Sequence, residues 1–445
     1  MIEYIWPIAM LLGLIAGIFA GYPVAFVLAG VGIIFAVAAG VPMLFLSIGV
    51  QRIFSGVLTN WLLIAIPLFV FMGLMLERSG VAERLLRSLA SLFRTLPGGY
   101  AFAVALIGVI MAASTGIIGA SVVLMGMMAL PPMLKNGYDP KVSTGLIAAS
   151  GTLGILIPPS VMLIILGDQL SISVGSLFVG AVGPGLLLAL LYIGYLVYIV
   201  IRSPERMPAI GQDRPEGLGK LMFQLAFDLL LPILLILSVL GTIVAGIATP
   251  TESAAIGAAG AMVLALISRR LTLPALSAAL SDSTRTTAMI IFVMIGATIF
   301  SLIFRKLGGD QMIMDLFAFE GSSPYTSLLL IMFVVFILGF FLEWVEITLV
   351  VVPIVAPVIA GLDFGMDQEY VLAWFAIALA VNLQTSFLTP PFGYALFYLR
   401  GVAKGVPIKT IYLGVLPFVF LQMFALGLII AFPEITLWLP HYLGR

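Results

Sequence analysis

The chain is 445 residues long, 62% hydrophobic and 9% charged, with 20 basic and 20 acidic residues cancelling to zero net charge and a mean hydropathy of +1.25. An average soluble domain carries roughly 25% charged residues, so this is the composition of a polytopic membrane protein, and zero net charge argues against a nucleic-acid partner. The absence of cysteine excludes disulfides, thiolate nucleophiles and iron–sulfur clusters, and the lone His441 near the C-terminal end argues against a histidine-built metal or proton-relay site.

Apolar runs of about 17 to 25 residues follow one another, each long enough to cross a ~30 Å hydrocarbon core. The first, Ile5 to Ala20, lacks a basic flank and leads directly past Gly21-Tyr22-Pro23 into a second, the pattern of a retained span rather than a cleaved signal. An amphipathic interfacial piece at about 44 to 58 and a third span follow, then a short arm helix at 79 to 94. In the arm, Arg84, Arg87 and Arg94 alternate with leucines, which interfacial anchoring explains without a ligand. Residues 100 to 136 are expected to form a hairpin that enters and leaves on one side, with the polar run STGIIGAS, 114 to 121, at its tip. The segment at about 142 to 168 is apolar but broken by SGTLGILIPPS, and a span at about 174 to 201 closes the first half. Proline removes a backbone donor and clashes with the preceding turn, so no smooth helix passes this point.

A cytoplasmic linker, 202 to 223, leads to spans at about 224 to 247 and 254 to 268, an interfacial piece at about 272 to 284, a span at about 286 to 304 and an arm helix at 308 to 318. A second hairpin, 324 to 361, carries FFLEWVEITL at its tip; a second broken helix, 370 to 399, contains NLQTSFLTPPFG; a last span runs from about 410 to 432. Lys and Arg cluster at Arg78 to Arg94, Lys135 to Lys141, Arg202 to Lys220, Arg269-Arg270 and Arg400 to Lys409. The positive-inside rule puts these loops in the cytoplasm. One basic pair, Arg305-Lys306, then lies outside, where an arm helix lets cations snorkel. The fold expected is all-α and polytopic, with ten crossings, two re-entrant hairpins and two broken helices, arranged as an inverted repeat of residues 1–201 and 224–445. Interrupted segments at corresponding places in two halves point to a transporter's binding site.

Each break exposes N–H groups at one half-helix end and carbonyls at the other, with partial charges of about half an electron. Carbonyls suit a hard cation such as Na+, and N–H groups suit a carboxylate. In the first half, carbonyls near Gly154 and Ile157, beside Pro159, are candidates to meet Ser114 and Thr115 at the hairpin tip. In the second, Thr385, Ser386 and Thr389, beside Pro390 and Pro391, are expected to face the tip from Glu343 to Thr348. A single Pro kink is more often structural; two, each opposed by a polar hairpin, favour a site. Glu343 and Glu346 are the only carboxylates placed deep in the membrane. A charge there costs roughly 2.5 to 3.5 kcal/mol on insertion scales, so a functional role is the default. Glu252 follows Thr251 at a helix start, where dipole compensation suffices to explain it. No G-x-x-x-x-G-K-[ST] loop occurs, so transport is not powered by ATP through that motif.

Several dispersed motifs, GYPVAFVLAGVG, IPLFVFMGLMLERSG, GTLGILIPPS, ATPTES and FLTPPFGYALF, make the whole chain resemble the large membrane subunit of tripartite ATP-independent periplasmic (TRAP) transporters. The resemblance implies an elevator-type secondary transporter of the bacterial inner membrane, not an enzyme. It implies a small four-helix membrane subunit and a periplasmic substrate-binding protein as partners, and import of organic acids with Na+. Carried over by motif, one sodium site uses Ser114 or Thr115 with the backbone at Gly154, Ile157 and Pro159. The other lies near Ser386, Thr389 and Pro391, while Ser160, Ser121, Thr385, Glu343 and Glu346 are assigned to the substrate. Glu343, ten residues before Pro353, stands where the family usually has aspartate, and Glu346 where sialic-acid members often have proline. These departures point toward small carboxylates or oxo acids, such as dicarboxylates. A self-sufficient ion-coupled anion symporter and a non-transporting scaffold subunit remain the rival expectations.

Overall fold

The computed structural model describes residues 4–115, 118–211, 218–317 and 323–444, and every regular element among them is helical. The first span, Ile5–Phe19, stops where Gly21 takes a left-handed φ of 83°, and Pro23 opens the second, Val24–Ala38. An interfacial helix, Met43–Ile53, continues as a π-helical turn, Phe54–Leu58. The Asn60 side chain then accepts from the Leu62 N–H and caps the short turn Trp61–Ile64, which leads into Ala65–Arg78. The first arm helix is Val81–Leu92.

In the second half, Leu218–Val244 precedes Pro250–Ile267, whose start is a reciprocal capping box. There the Thr249 N–H donates to the Glu252 carboxylate at 2.8 Å while Thr249 Oγ1 accepts from the Glu252 N–H at 3.3 Å. Glu252 is thus a capping residue. The expected division between an interfacial piece ending near 284 and a span starting near 286 does not occur, because Leu273–Lys306 is one continuous helix of 34 residues. Its polar run, Ser281 to Thr287, contains neither Gly nor Pro and is absorbed by partners. Asp282 pairs with Arg78 at 2.6 Å, and Ser283 Oγ donates to the Pro67 carbonyl at 3.0 Å. The second arm helix is Gly309–Phe317.

These outer spans form a frame that pairs crosswise between the halves. Val24–Ala38 packs along Leu273–Lys306, and its counterpart Pro250–Ile267 packs along Ala65–Arg78. Small residues permit the first crossing: a Cβ on Gly296 would lie 2.4 Å from the Ala25 carbonyl oxygen.

The hairpins are Gly99–Thr115 with Ile118–Lys135, and Pro324–Leu338 with Trp344–Val350 and Val352–Ala360. The broken helices are Pro140–Thr152 with Val161–Leu170, and Gln368–Leu388 with Tyr394–Val402. The closing spans, Val174–Arg202 and Ile408–Ala431, lie against the broken helices rather than in the frame. The hairpin body is therefore larger than hairpins and broken helices alone. Gly145 and Gly414 let Pro140–Thr152 and Ile408–Ala431 approach backbone to backbone, since a Cβ on Gly145 would lie 2.0 Å from the Gly414 oxygen.

Among the described residues eight helices are long and apolar enough to cross a membrane, one of them the hairpin leg Ile118–Lys135. Gln368–Leu388 is 94% buried over its most apolar stretch against 22% for Leu225–Val244, so the broken helix forms the core while the frame helix faces outward.

Candidate functional site

Both breaks fall at the Pro-Pro pairs, and both Pro-Pro bonds are cis. In the first, helix gives way to a short turn at Leu153–Ile155, and the chain resumes as helix at Val161. Ser160 is wholly buried, and its hydroxyl donates to the Ile155 carbonyl at 2.6 Å, closing the break. That bond spends the Ser160 proton on the backbone of its own helix. Gly154 and Pro159 are buried and Ile157 is half-buried. The second break is more open, with Pro391 and Phe392 exposed and Thr389 half-buried.

Each broken helix lies against the legs of its own hairpin. In the first half a Cβ on Gly108 would meet the Ser150 Cβ at 2.4 Å, and one on Gly151 would meet the Val122 N at 3.1 Å. In the second, Asn382 donates to the Met332 carbonyl at 2.8 Å and Ser386 to the Phe336 carbonyl at 2.7 Å, with Gly339 allowing the approach. Thr385 donates to Val381 and Thr389 to Thr385, both within their own helix. Ser386 is thus a hairpin-fastening residue, and Thr385 is wholly buried. Ser121 is buried on the inner leg of the first hairpin. The side chains of Ser114 and Thr115 lie outside the described residues, as do residues 116–117.

The two hairpin tips meet. A cavity of about 60 Å³ is lined by Ile118 and Gly119 of the first hairpin, Glu343 and Trp344 of the second, and Phe387, Tyr394 and Tyr398 flanking the second break. Gly119 is required there, because a Cβ would lie 2.9 Å from the Tyr398 ring. Tyr394 donates to the Phe341 carbonyl at 3.0 Å and ties the second break to its hairpin tip. Glu343 and Glu346 also line a larger cavity of about 530 Å³ that opens between the tip, the Tyr22–Phe26 segment and Ala288–Val293 of the long frame helix. The tip acids therefore stand between the hairpin body and the frame.

The oxygen inventory suits a hard cation. Thr348, wholly buried just past the tip, has a hydroxyl with no hydrogen-bond partner, and so does Ser150 beside the first break. Hydroxyls and break carbonyls are oxygen donors, the type a hard cation such as Na+ takes. Among the described residues no cluster of three His, Cys, Asp or Glu side chains occurs.

One polar cluster escaped sequence reasoning. Tyr192 accepts from Gln422 at 2.7 Å and from Gln384 at 3.4 Å, joining a closing span, the last span and the second broken helix. Gln422 also reaches Thr152 of the first broken helix at 3.4 Å. The two amide oxygens, Gln384 Oε1 and Gln422 Oε1, are buried without partners. The available signal was a lone Gln in each of two apolar spans, since polar groups at membrane depth are costly without a role.

The family model described as "Tripartite ATP-independent periplasmic transporter, DctM component" matches residues 11–435. The chain is 32% identical over 386 residues to the C4-dicarboxylate TRAP transporter large permease protein DctM of Pseudomonas aeruginosa, covering 86% of this chain and 87% of that one. It is 30% identical over 439 residues to the sialic acid TRAP transporter large permease protein SiaM of Vibrio cholerae, covering 98% and 99%. An isethionate permease of Oleidesulfovibrio alaskensis, DctMQ, is 30% identical over 441 residues, 98% of this chain but 67% of that longer one. Among solved structures, the Alcanivorax borkumensis YdaH transporter shares the fold, with a TM-score of 0.60 at 16% identity over 88% of this chain and 89% of that one.

Proposed function

The chain belongs to the DctM component family of tripartite ATP-independent periplasmic transporters, and from that premise we propose that it is a Na+-coupled permease subunit importing a small carboxylate or oxo acid across the bacterial inner membrane. It works with a small four-helix membrane subunit and a periplasmic binding protein that delivers the acid. The fused DctMQ relative supports a second membrane component, and relatives named for C4-dicarboxylate, sialic acid and ectoine support an organic substrate class. Residues 1–201 and 224–445 are taken as inverted repeats joined by 202–223, with the basic loops in the cytoplasm.

The observation that carries this reading is the meeting of both hairpin tips and the second break around one small cavity, at Gly119, Glu343 and Tyr394. A transporter that moves its load on one rigid body needs the binding groups of both repeats on that body. The hairpins, broken helices and closing spans supply it, and the frame supplies the stationary part. The first break, at Gly154, Ile157 and Pro159, with Ser150, Ser114 and Thr115, would hold one Na+, and Thr348 with the second break at Ser386, Thr389 and Pro391 would hold another. Bound Na+ supplies positive charge that offsets a carboxylate. The chain's own residues fix the oxygens: Ser160 closes the first break, Ser386 fastens the second to its hairpin, and Tyr394 holds the tip. Glu343 and Glu346 line the way between tip and frame and order the substrate pocket. No residue of the chain acts as a catalyst, and the protein is not an enzyme.

The test is uptake into proteoliposomes holding the chain, its small subunit and the adjacent binding protein, with radiolabelled succinate and pyruvate as first probes. Uptake is expected only with an inward Na+ gradient and binding protein present. Uptake by this chain alone would overturn the tripartite reading in favour of a self-sufficient symporter, and uptake indifferent to Na+ would overturn the coupling.

A further inference from the structure

We propose that a second anion-binding site lies beyond the tip cavity along the same boundary, in a cavity of about 360 Å³ lined by Arg52, Asn60, Asp168, Ser301 and Arg305, and that it takes a small carboxylate. This rests on the organic-acid reading above and adds to it a place where the acid binds before or beside the central site. The cavity belongs to both bodies. Arg52 comes from the interfacial helix, Asn60 from the cap of the short turn Trp61–Ile64, and Ser301 and Arg305 from the far end of the long frame helix. Asp168 ends the first broken helix, and Leu349 and Pro353 belong to the second hairpin. At 1.5 Å per residue, Arg305 stands about 24 Å along the frame helix from Met289, which lines the tip cavity. The two linings share no residue but adjoin at Val293 and Met294, and the positive-inside orientation puts the arginine end of this cavity on the outer side.

Its charges are arranged for an anion. Asp168 already accepts from the Asn60 amide at 2.6 Å and from Gln169 at 2.9 Å, so both carboxylate oxygens are engaged. Arg305 donates to the Pro353 carbonyl at 2.8 Å and lies 3.7 Å from Asp310, leaving part of its guanidinium fork for another acceptor. Arg52 has no ion-pair partner among the described residues, and Ser301 lines the cavity beside it. A guanidinium fork matches a carboxylate in a bidentate way. By contrast, Ser55 and Thr298 donate into their own helices at 2.9 and 2.8 Å and contribute no free proton. A carboxylate held between Arg52 and Arg305 would sit on the frame side of a boundary that the Asn60–Asp168 and Arg305–Pro353 hydrogen bonds already cross.

The chain's lack of cysteine makes the test direct. Ser301→Cys gives it one thiol in the cavity. The variant, purified with its small subunit, is labelled with an anionic thiosulfonate, and the mass of the chain is read over time. Succinate, pyruvate and glutamate are each added as protectants, with 1,4-butanediol as the uncharged control. The expected result is that at least one acid slows labelling about tenfold at ten times its dissociation constant, that Arg52→Gln abolishes the protection, that Arg52→Lys keeps part of it, and that Glu343→Gln leaves it intact. No protection by any of the three, protection unchanged by Arg52→Gln, or protection lost in Glu343→Gln each overturns the second site. Protection without Na+-driven uptake would sink the permease function while leaving the site standing, and uptake of an acid that gives no protection would do the reverse.

Discussion

The carboxylate of Glu346 accepts a hydrogen bond from the main-chain N–H of Glu343 at 3.1 Å, so the second acid of the hairpin tip caps the short helix that the first one opens. Glu343 is the reciprocal member of the same capping box, and what distinguishes it is that it alone of the two acids also lines the small cavity between the hairpin tips. Glu346→Gln retains an acceptor for this bond and should leave thermal stability within about 0.5 kcal/mol, whereas Glu346→Ala should cost about 1 kcal/mol. Glu343→Gln should leave the melting temperature unchanged while lowering uptake at least severalfold. Equal loss of stability in Glu343→Gln and Glu346→Ala would remove the distinction.

Gly339 and Ser386 form a matched contact. A Cβ on Gly339 would lie 2.5 Å from Ser386 Oγ and 2.9 Å from its Cβ. Gly339→Ala should therefore push the hairpin from the broken helix and weaken the Ser386–Phe336 hydrogen bond, at about 1 to 3 kcal/mol. Ser386→Gly removes the obstructing atoms, so the double variant should be more stable than additivity allows. A thermal-melt double-mutant cycle with no coupling would refute this.

Arg84 joins the first arm helix to two frame spans of the other half. Its Nε pairs with Asp228 at 3.2 Å, and a terminal nitrogen donates to Ser268 Oγ at 2.7 Å. A lysine cannot hold both acceptors at once. Arg84→Lys should thus lose nearly as much heat resistance as Arg84→Ala in detergent, while Arg87→Lys, whose arginine pairs only with Glu83 one turn away, should be silent. Full rescue by the lysine at position 84 would show that charge alone mattered.

Gly145→Ala should be among the most damaging single methyl additions in the chain, because the new Cβ would lie 2.0 Å from a backbone oxygen rather than from a side chain able to turn. About 1 to 3 kcal/mol or more of destabilisation is expected. The contrast is Gly194→Ala, in the closing span Val174–Arg202, where a Cβ would meet nothing within 4 Å. There the change should stabilise by about 0.4 to 1 kcal/mol. Thermal melts of the two variants side by side decide the matter.

Much of the architecture was legible because membrane helices announce their ends with glycine and proline. The breaks fall where Pro158-Pro159 and Pro390-Pro391 stand, and the arms follow Gly80 and Gly308, both at positive φ. The long frame helix was misjudged because the run from Ser281 to Thr287 is polar without being helix-breaking; its partners Arg78 and Pro67 lie more than 200 residues away. Polarity was taken for a boundary where it marks an internal contact.

The site was legible in position more than in role. Glu343 stands at the second hairpin tip and Ser386 and Thr389 at the second break, yet only the structure shows that Ser160 and Ser386 spend their protons on carbonyls. A hydroxyl beside a break can serve a ligand or the backbone, and spacing does not distinguish them. Tyr192, Gln384 and Gln422 converge from three separate spans, so no local pattern foretold them.

The glycine contacts also have a mechanical meaning. Where a Cβ would strike backbone on a neighbouring element at under 2.5 Å, the two elements belong to one side of the molecule: Gly296 with Ala25 in the frame, and Gly145 with Gly414, Gly414 with Lys141 and Gly183 with Ile435 in the other body. Gly99 makes one such contact with Phe93, where the first arm runs into its hairpin, but among the described residues no glycine makes one between Trp344–Val350 and Leu273–Lys306. Interlocked backbones resist shear, whereas facing side chains can exchange rotamers and slide. Between Trp344–Val350 and Leu273–Lys306 side chains face one another, with backbone-locked pairs on either side, so displacement at that boundary would cost side-chain repacking and leave each locked pair whole.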